Sequence, residues 1–186
     1  FSQQIKRLEN SSCPYYCGLN SYIIKSALEL LVSPLTLFYN KFVEEGFWPD
    51  CLKVARVLPI HKKGDVEVLD NFRPIANVPI FAKIFEILIK DKLLSYLESN
   101  AILSPLQFGF RRSFSTIRAL LTIIEEIVEG FDNKIVSHVT LCDLTKAFDC
   151  IDIEILLQEL EYYGIRNNEL NLFRTYLLGR KQCVSI

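Results

Sequence analysis

Two spacings of apolar residues alternate along this chain, one near two and one near three and a half. Residues 20–31 read as a short helix. Ser33 followed by Pro34 reads as a cap and a first helical position, opening a second helix that stops at Gly46. KVARVLPI (53–60) then reads as a strand, the segment from His61 to Asp65 as a turn and NFRPI (71–75) as the returning strand. From Pro79 to about Ser99 the spacing lengthens. Phe81, Ile84, Phe85, Leu88, Leu93, Tyr96 and Leu97 recur at three and four, the mark of a long amphipathic helix. Ser115 caps a further helix reaching Gly130, with Ile117, Leu120, Leu121, Ile124 and Ile127 inside. The branched apolar run at 135–143 predicts a strand. Asp152 caps a helix ending at Gly164, Asn167 or Asn168 starts another ending at Gly179, and 181–186 begins a last strand. Helices, hairpin, helices, strand, two helices and strand make an α+β pattern.

Composition adds that the core can be large. Half of the 186 residues are apolar, with 13 Phe and 8 Tyr. The net charge of -1 gives no global attraction to nucleic acid or to an anionic membrane, so a nucleic-acid site must come from local clusters of Lys and Arg. The six Cys are scattered without a paired C-x-x-C, which reads as buried or free thiols of a reducing compartment, and the two distant His give zinc little to bind. The first residues carry Lys and Arg without an apolar core, so no secretory signal is read there. No apolar run approaches the roughly 18 residues of a membrane span. Met is absent, even at position 1, and the last residues read as a strand, so the chain is expected to be a segment of something longer.

Three groups of residues carry candidate chemistry. In LCDLTKAFD (141–149), Asp143 stands just past an apolar strand-like run. A carboxylate on such a support suits a metal ligand, and equally suits a helix N-cap. Magnesium takes only one or two protein carboxylates together with substrate phosphates. Lys53, Arg56, Lys62, Lys63 and Arg73 fall in one hairpin, where they could close on a triphosphate or merely protect a sheet edge. LSPLQFGFRRSFSTIRAL (103–120) interleaves aromatics with Arg111, Arg112 and Arg118, as a nucleic-acid strand or a core-plugging loop would require.

These groups occur together and in a known order. WPDCLKVARVLPIHKKGD, NFRPIANVPIFAKIFE, LSPLQFGFRR, LCDLTKAFDCID and GIRNNELNLFRTYLLGRKQCVSI together closely resemble the reverse transcriptase of non-long-terminal-repeat (LINE-type) retrotransposons, jockey-like elements in particular. The resemblance runs from about Ser33 to the last residue. It implies a right-hand polymerase, with a fingers region and its preceding helical segment at 1–134 and the beginning of a palm at 135–186. Asp143 matches a metal-binding and catalytic carboxylate, with the Leu144 carbonyl completing the shell of two Mg²⁺ ions. Lys62 or Lys63, Arg73, and the backbone N–H groups of Lys146 and Ala147 match positions facing the triphosphate. Phe148 matches the aromatic gate that excludes a 2′-hydroxyl. Gln107, Gly109 and Arg111 match a motif placed along the template, and Asp149 a structural acid. The implied partners are an RNA template, a DNA primer and deoxynucleoside triphosphates, with nuclear and cytoplasmic localisation and no secretion.

The sequence also departs from the family. SSCPYYCGLN lacks the usual acid before the glycine, and Ile153 stands where His is commoner. The Pro-Gln-Gly segment and the aromatic-x-Asp-Asp turn of the palm do not occur in these residues, so the chain alone is expected not to polymerise. A non-catalytic remnant that binds nucleic acid or is unstable is the other expectation.

Overall fold

A computed structural model describes residues 2–6, 8, 19–144 and 147–184. They divide into two compact units, one of residues 1–90 and 152–186, the other of residues 91–151. Among the described residues no helix is long and apolar enough to cross a membrane.

The first unit is built on α1 (Ser2–Lys6), α2 (Ser21–Ser26), α3 (Leu28–Glu45), the start of α4 (Ile80–Ser99), α6 (Ile153–Tyr162) and α7 (Asn167–Leu177). They accompany a three-stranded sheet in the order β2-β1-β3. Here β1 is Val54–His61, β2 is Phe72–Asn77 and β3 is Lys181–Val184. β1 and β2 form the expected hairpin, antiparallel from Arg56 opposite Asn77 to His61 opposite Phe72. β3 lies parallel to β1, from Val54 opposite Lys181 to Val57 opposite Val184. Pro59 faces Pro74 across the hairpin. Both are tolerated because Pro74 is on an edge strand and Pro59 lies beyond the reach of β3, where fewer ladder N–H groups are needed.

The core of this unit is aromatic. Tyr39 from α3 stacks on Phe85 from α4 with ring centroids 4.4 Å apart, and Trp48 stacks on the same Phe85 at 4.9 Å. Tyr176 of α7 meets Trp48 edge-on at 4.6 Å. Ile24, Ile80, Ile84 and Leu172 fill the space around them, all buried. Burial pushes the Tyr39 phenol well above its ordinary pKa, and its hydroxyl donates to the Phe81 carbonyl. At Tyr176 burial, with the Glu86 charge beside it, pushes the phenol up to about 12.

Gly46 ends α3 in the left-handed conformation, φ 62°, as expected of a terminating glycine. It also allows a close approach. A Cβ there would stand 2.7 Å from the Asn168 carbonyl oxygen at the start of α7. The Asn168 amide donates to the Glu44 carbonyl, tying the two helices together at this point.

Two expected boundaries are corrected. No helix starts at Ser33: α3 begins at Leu28, after a break at Ala27, and runs through Pro34. A mid-helix proline removes one hydrogen bond and clashes with the preceding turn. Pro34 and Leu30, whose carbonyl loses its partner, are both exposed, so water can serve that carbonyl. Leu31, Leu35, Phe42 and Val43 pack on the core on either side and hold the helix through the interruption.

The second unit contains the end of α4, α5 (Thr116–Asp132) and long connecting segments. Ser115 caps α5 as expected, accepting from the Arg118 N–H at 3.3 Å. The helix continues two residues past Gly130. The expected strand at 135–143 is the second correction. Residues 135–144 carry neither strand nor helix, and Val136 is 94% exposed. Branched apolar residues favour extended backbone, but a strand also requires a partner to take its N–H and C=O groups, and none of the described strands pairs with this run. What holds its beginning is the turn after α5, where the Ile135 N–H donates to the Gly130 carbonyl at 2.8 Å. A Cβ on Gly130 would stand 2.5 Å from the Ser137 hydroxyl, so the segment returns across a bare stretch of helix.

The four described cysteines, Cys51, Cys142, Cys150 and Cys183, are free and exposed; Cys13 and Cys17 lie outside the described residues.

Candidate nucleotide and template site

The candidate residues distribute over both units. Asp143, Leu144, Ala147, Phe148, Gln107, Gly109 and Arg111 belong to the second, and Lys62, Lys63 and Arg73 to the first. Lys146 lies outside the described residues.

In the second unit, Asp143 is exposed in a segment without regular structure, followed by an exposed Leu144 and a turn at 147–150. The capping role open to an acid in this stretch falls to Asp152, whose carboxylate accepts from the Glu154 and Ile155 N–H groups at 2.9 and 3.2 Å. Asp149 is exposed. Among the described residues no group of three or more His, Cys, Asp or Glu forms a metal-holding cluster. Among the described residues, this stretch offers a hard cation the exposed Asp143 carboxylate and the neighbouring Leu144 backbone carbonyl.

Phe148 is 74% exposed, and its ring meets Phe110 edge-on, centroids 6.1 Å apart and planes at 82°. This contact brings the Gln-Phe-Gly-Phe-Arg segment to the turn that follows Asp143. Edge-to-face pairs are favourable by about 1 kcal/mol. Phe110 itself has φ 61°, a left-handed backbone that a bulky residue adopts only when its surroundings impose it. The preceding Gly109 needs its lack of a side chain for neither reason: its φ is ordinary and a Cβ there would meet nothing within 4 Å. Gln107 is exposed, with its N–H bonded to the Ser104 carbonyl at 3.1 Å.

The arginines of this loop differ from one another. Arg112 is largely exposed and pairs with Asp91 at 3.3 Å. Arg111 turns inward. Its side chain is only 13% exposed, with Nε 3.4 Å from Glu98 Oε1, Nη1 donating to the Ser104 carbonyl at 2.9 Å and its guanidinium 4.1 Å from the centre of the Phe114 ring. Arg118 lies on Phe114 as well, at 4.8 Å, and Phe108 packs beside that ring at 5.7 Å. Phe114 was not among the residues that stood out in the sequence. The available signal was its spacing, three after Arg111 and four before Arg118.

In the first unit, the tip of the hairpin carries Lys62 and Lys63, both exposed. The Lys62 N–H donates to the Asn71 carbonyl at 2.8 Å, the His61 ring lies 3.0 Å from the Gly64 carbonyl, and the Asn71 amide donates to the Asp65 carbonyl at 2.8 Å. The tip is thus closed by polar bonds while both lysine side chains stay in solvent. Arg73 is exposed opposite Ile60. Lys53 leaves the basic group. Its side chain is buried, with Nζ 2.8 Å from Asp50, and this bond holds the Asp50 carboxyl below its ordinary pKa. Arg56 is half-buried opposite Asn77.

Residues 60–185 match the family described as reverse transcriptase (RNA-dependent DNA polymerase), and the chain belongs to that family. Among curated relatives it is 27% identical, over 98% of its length, to a probable RNA-directed DNA polymerase from transposon X-element of Drosophila melanogaster. It is 28% identical over 99% of its length to the corresponding protein of transposon BS from the same organism. Over 62% of its length it is 31% identical to the RNA-directed DNA polymerase from mobile element jockey, also of Drosophila melanogaster. The chain covers 20% of each of the first two proteins and 13% of the third. The resemblance read from the motifs is therefore the family found by comparison.

Proposed function

We propose that these residues form the fingers (1–134) and the first palm segment (135–186) of an RNA-directed DNA polymerase of a mobile element, working on an RNA template, a DNA primer and deoxynucleoside triphosphates. The observation that carries this reading is the Phe110–Phe148 contact, which joins the two motif segments expected to face template and nucleotide within one unit.

Asp143 and the Leu144 carbonyl fit part of a magnesium shell: hard oxygens on adjacent, exposed residues. Two Mg²⁺ ions, when bound, supply charge neutralisation at the α-phosphate and ease loss of the proton from the primer 3′-hydroxyl. The rest of the work falls to the chain. Arg73 and Lys62 or Lys63 hold the triphosphate oxygens, Arg as a fork and Lys as a point charge. By the resemblance, the N–H groups of Lys146 and Ala147 match positions that face a triphosphate in the family. The Phe148 ring excludes a 2′-hydroxyl by occupying its space. Gln107, Gly109 and Arg111 belong to the loop along the template, where the open space over Gly109 leaves room for a nucleic-acid backbone.

One carboxylate is a weak magnesium site, so these 186 residues alone do not incorporate nucleotides on this reading. The test is primer extension by an enzyme in which these residues are completed with the family's Pro-Gln-Gly segment and aromatic-x-Asp-Asp turn. Asp143→Asn should reduce synthesis to background while leaving the unfolding free energy within about 0.5 kcal/mol, since the side chain is exposed. Synthesis at the unsubstituted rate would remove Asp143 from the mechanism.

A further inference from the structure

The inward turn of Arg111 assigns it a part different from that of its neighbour. We propose that Arg111 is a positioning residue, a strut that shapes the 104–115 loop, and that Arg112 is the loop's phosphate-facing cation. This rests on the reading of the loop as template-facing.

A guanidinium grips a phosphate through two parallel N–H groups on one of its edges. In Arg111 one donor of each usable edge is committed: Nε faces Glu98, and Nη1 bonds the Ser104 carbonyl. One face of the plane lies on Phe114. Gripping a phosphate would break at least one of these bonds in a side chain that is 13% exposed. The three partners come from the end of α4, the start of the loop and its far side, so the one side chain closes the loop on itself. The backbone shows why closure is needed. Phe110 at φ 61° and Ser113 at φ 61° bracket the two arginines, and left-handed backbone at non-glycine residues persists only where the surroundings over-determine it. Clamping Arg111 turns Phe110 outward to Phe148 and leaves Arg112 facing solvent. The Arg112–Asp91 pair is a surface pair, weak enough to give way to a phosphate.

The test uses the purified 186-residue chain and a single-stranded RNA oligonucleotide, with affinity measured across a salt series and amide exchange followed at Gln107. A lost phosphate contact lowers the slope of log affinity against log salt by about 0.7. Arg112→Gln should do this. Arg111→Gln should weaken binding several-fold at every salt concentration with the slope unchanged, and should speed exchange at Gln107. Phe114→Leu should reproduce both effects, the double variant should be no worse than either single one, and Arg111→Lys should not restore affinity, because an ammonium lacks the planar fork. The proposal is overturned if Arg111→Gln lowers the slope as Arg112→Gln does, or if Arg111→Lys restores binding with Gln107 exchange unaltered. If the unsubstituted chain shows no salt-dependent RNA binding, the template reading fails. The strut is then decided by exchange alone: faster in Arg111→Gln and Phe114→Leu supports it, unchanged overturns it.

Discussion

The two units treat their apolar residues in opposite ways. In the first, Trp48, Phe85, Tyr39 and Tyr176 stack into a core with no exposure at Trp48, and a glycine is held where helix meets helix. In the second, the stripe Ile117, Leu120, Leu121, Ile124, Val128 and Phe131 of α5 is exposed, as are Ile135, Val136 and Leu141 after it. Yet the second unit holds Asp143, Phe148 and the Gln107–Arg111 loop, the residues closest to the proposed chemistry. The difference separates two kinds of order. The first unit is stabilised by buried area. The second is shaped by point contacts, an arginine clamp, an edge-on ring pair and an N-cap, each contributing about 1 kcal/mol.

If that contrast is right, the largest loss comes from the stacked core. Trp48→Ala should cost about 3–5 kcal/mol in denaturant unfolding, a large fraction of the roughly 5–15 kcal/mol that holds a typical domain folded. Its indole N–H is buried without a partner among the described residues, so Trp48→Phe should cost distinctly less than the alanine variant. Equal losses would mean that the ring's volume is not what matters. Gly46→Ala comes next, at about 1–3 kcal/mol, because a side chain there meets both the φ of 62° and the Asn168 carbonyl. A neutral effect would show that α7 is not held closely against the end of α3.

A smaller effect, with a pH signature, sits at Glu86 in the same unit. Its carboxylate accepts from the Tyr176 hydroxyl at 3.0 Å and lies 3.7 Å from Arg180. Burial nevertheless outweighs these partners and raises its pKa. A carboxyl whose folded pKa is raised contributes stability that is complete below its unfolded value, about 4.3, and lost as pH rises through the folded one. At neutral pH the ionised group therefore costs stability. Glu86→Gln should raise the unfolding midpoint at pH 7, with the gain shrinking as pH falls toward 4. A gain that grows on acidification would show that Glu86 is instead held ionised by Arg180.

Much of this was legible in the sequence where the signal is local. Gly46, Ser115 and Asp152 mark helix ends because a left-handed glycine or a side-chain acceptor does its work within one turn. The hairpin was legible for the same reason. Even the burial of Lys53 was available, since it precedes the inward Ala55 and Val57 at a spacing of two. Pro34 misled because the packing of Leu31, Leu35 and Phe42 overrides a local rule. The 135–143 run misled because composition reports a preference for extended backbone and not the presence of a partner strand. Of the candidate site, residue types and order were readable. The inward turn of Arg111 was not, because two adjacent arginines carry no sign of which one faces a glutamate thirteen residues earlier.

The sharpest break of the comparison lies on α5, where the expected effect is smallest. Leu121 is 52% exposed on the apolar stripe. Leucine and lysine have nearly equal helix propensity, so Leu121→Lys changes packing and little else. If the stripe buries nothing in this chain, the variant should unfold within about 0.5 kcal/mol of the parent. It should also associate less with itself, because an exposed apolar stripe promotes contact between copies and a charge interrupts it. Both are measured on one sample, by denaturant titration and by sedimentation over a concentration series. A loss of 2 kcal/mol or more would be the mark of a buried leucine. It would mean that α5 is covered in solution, and that the second unit, like the first, is held by buried area.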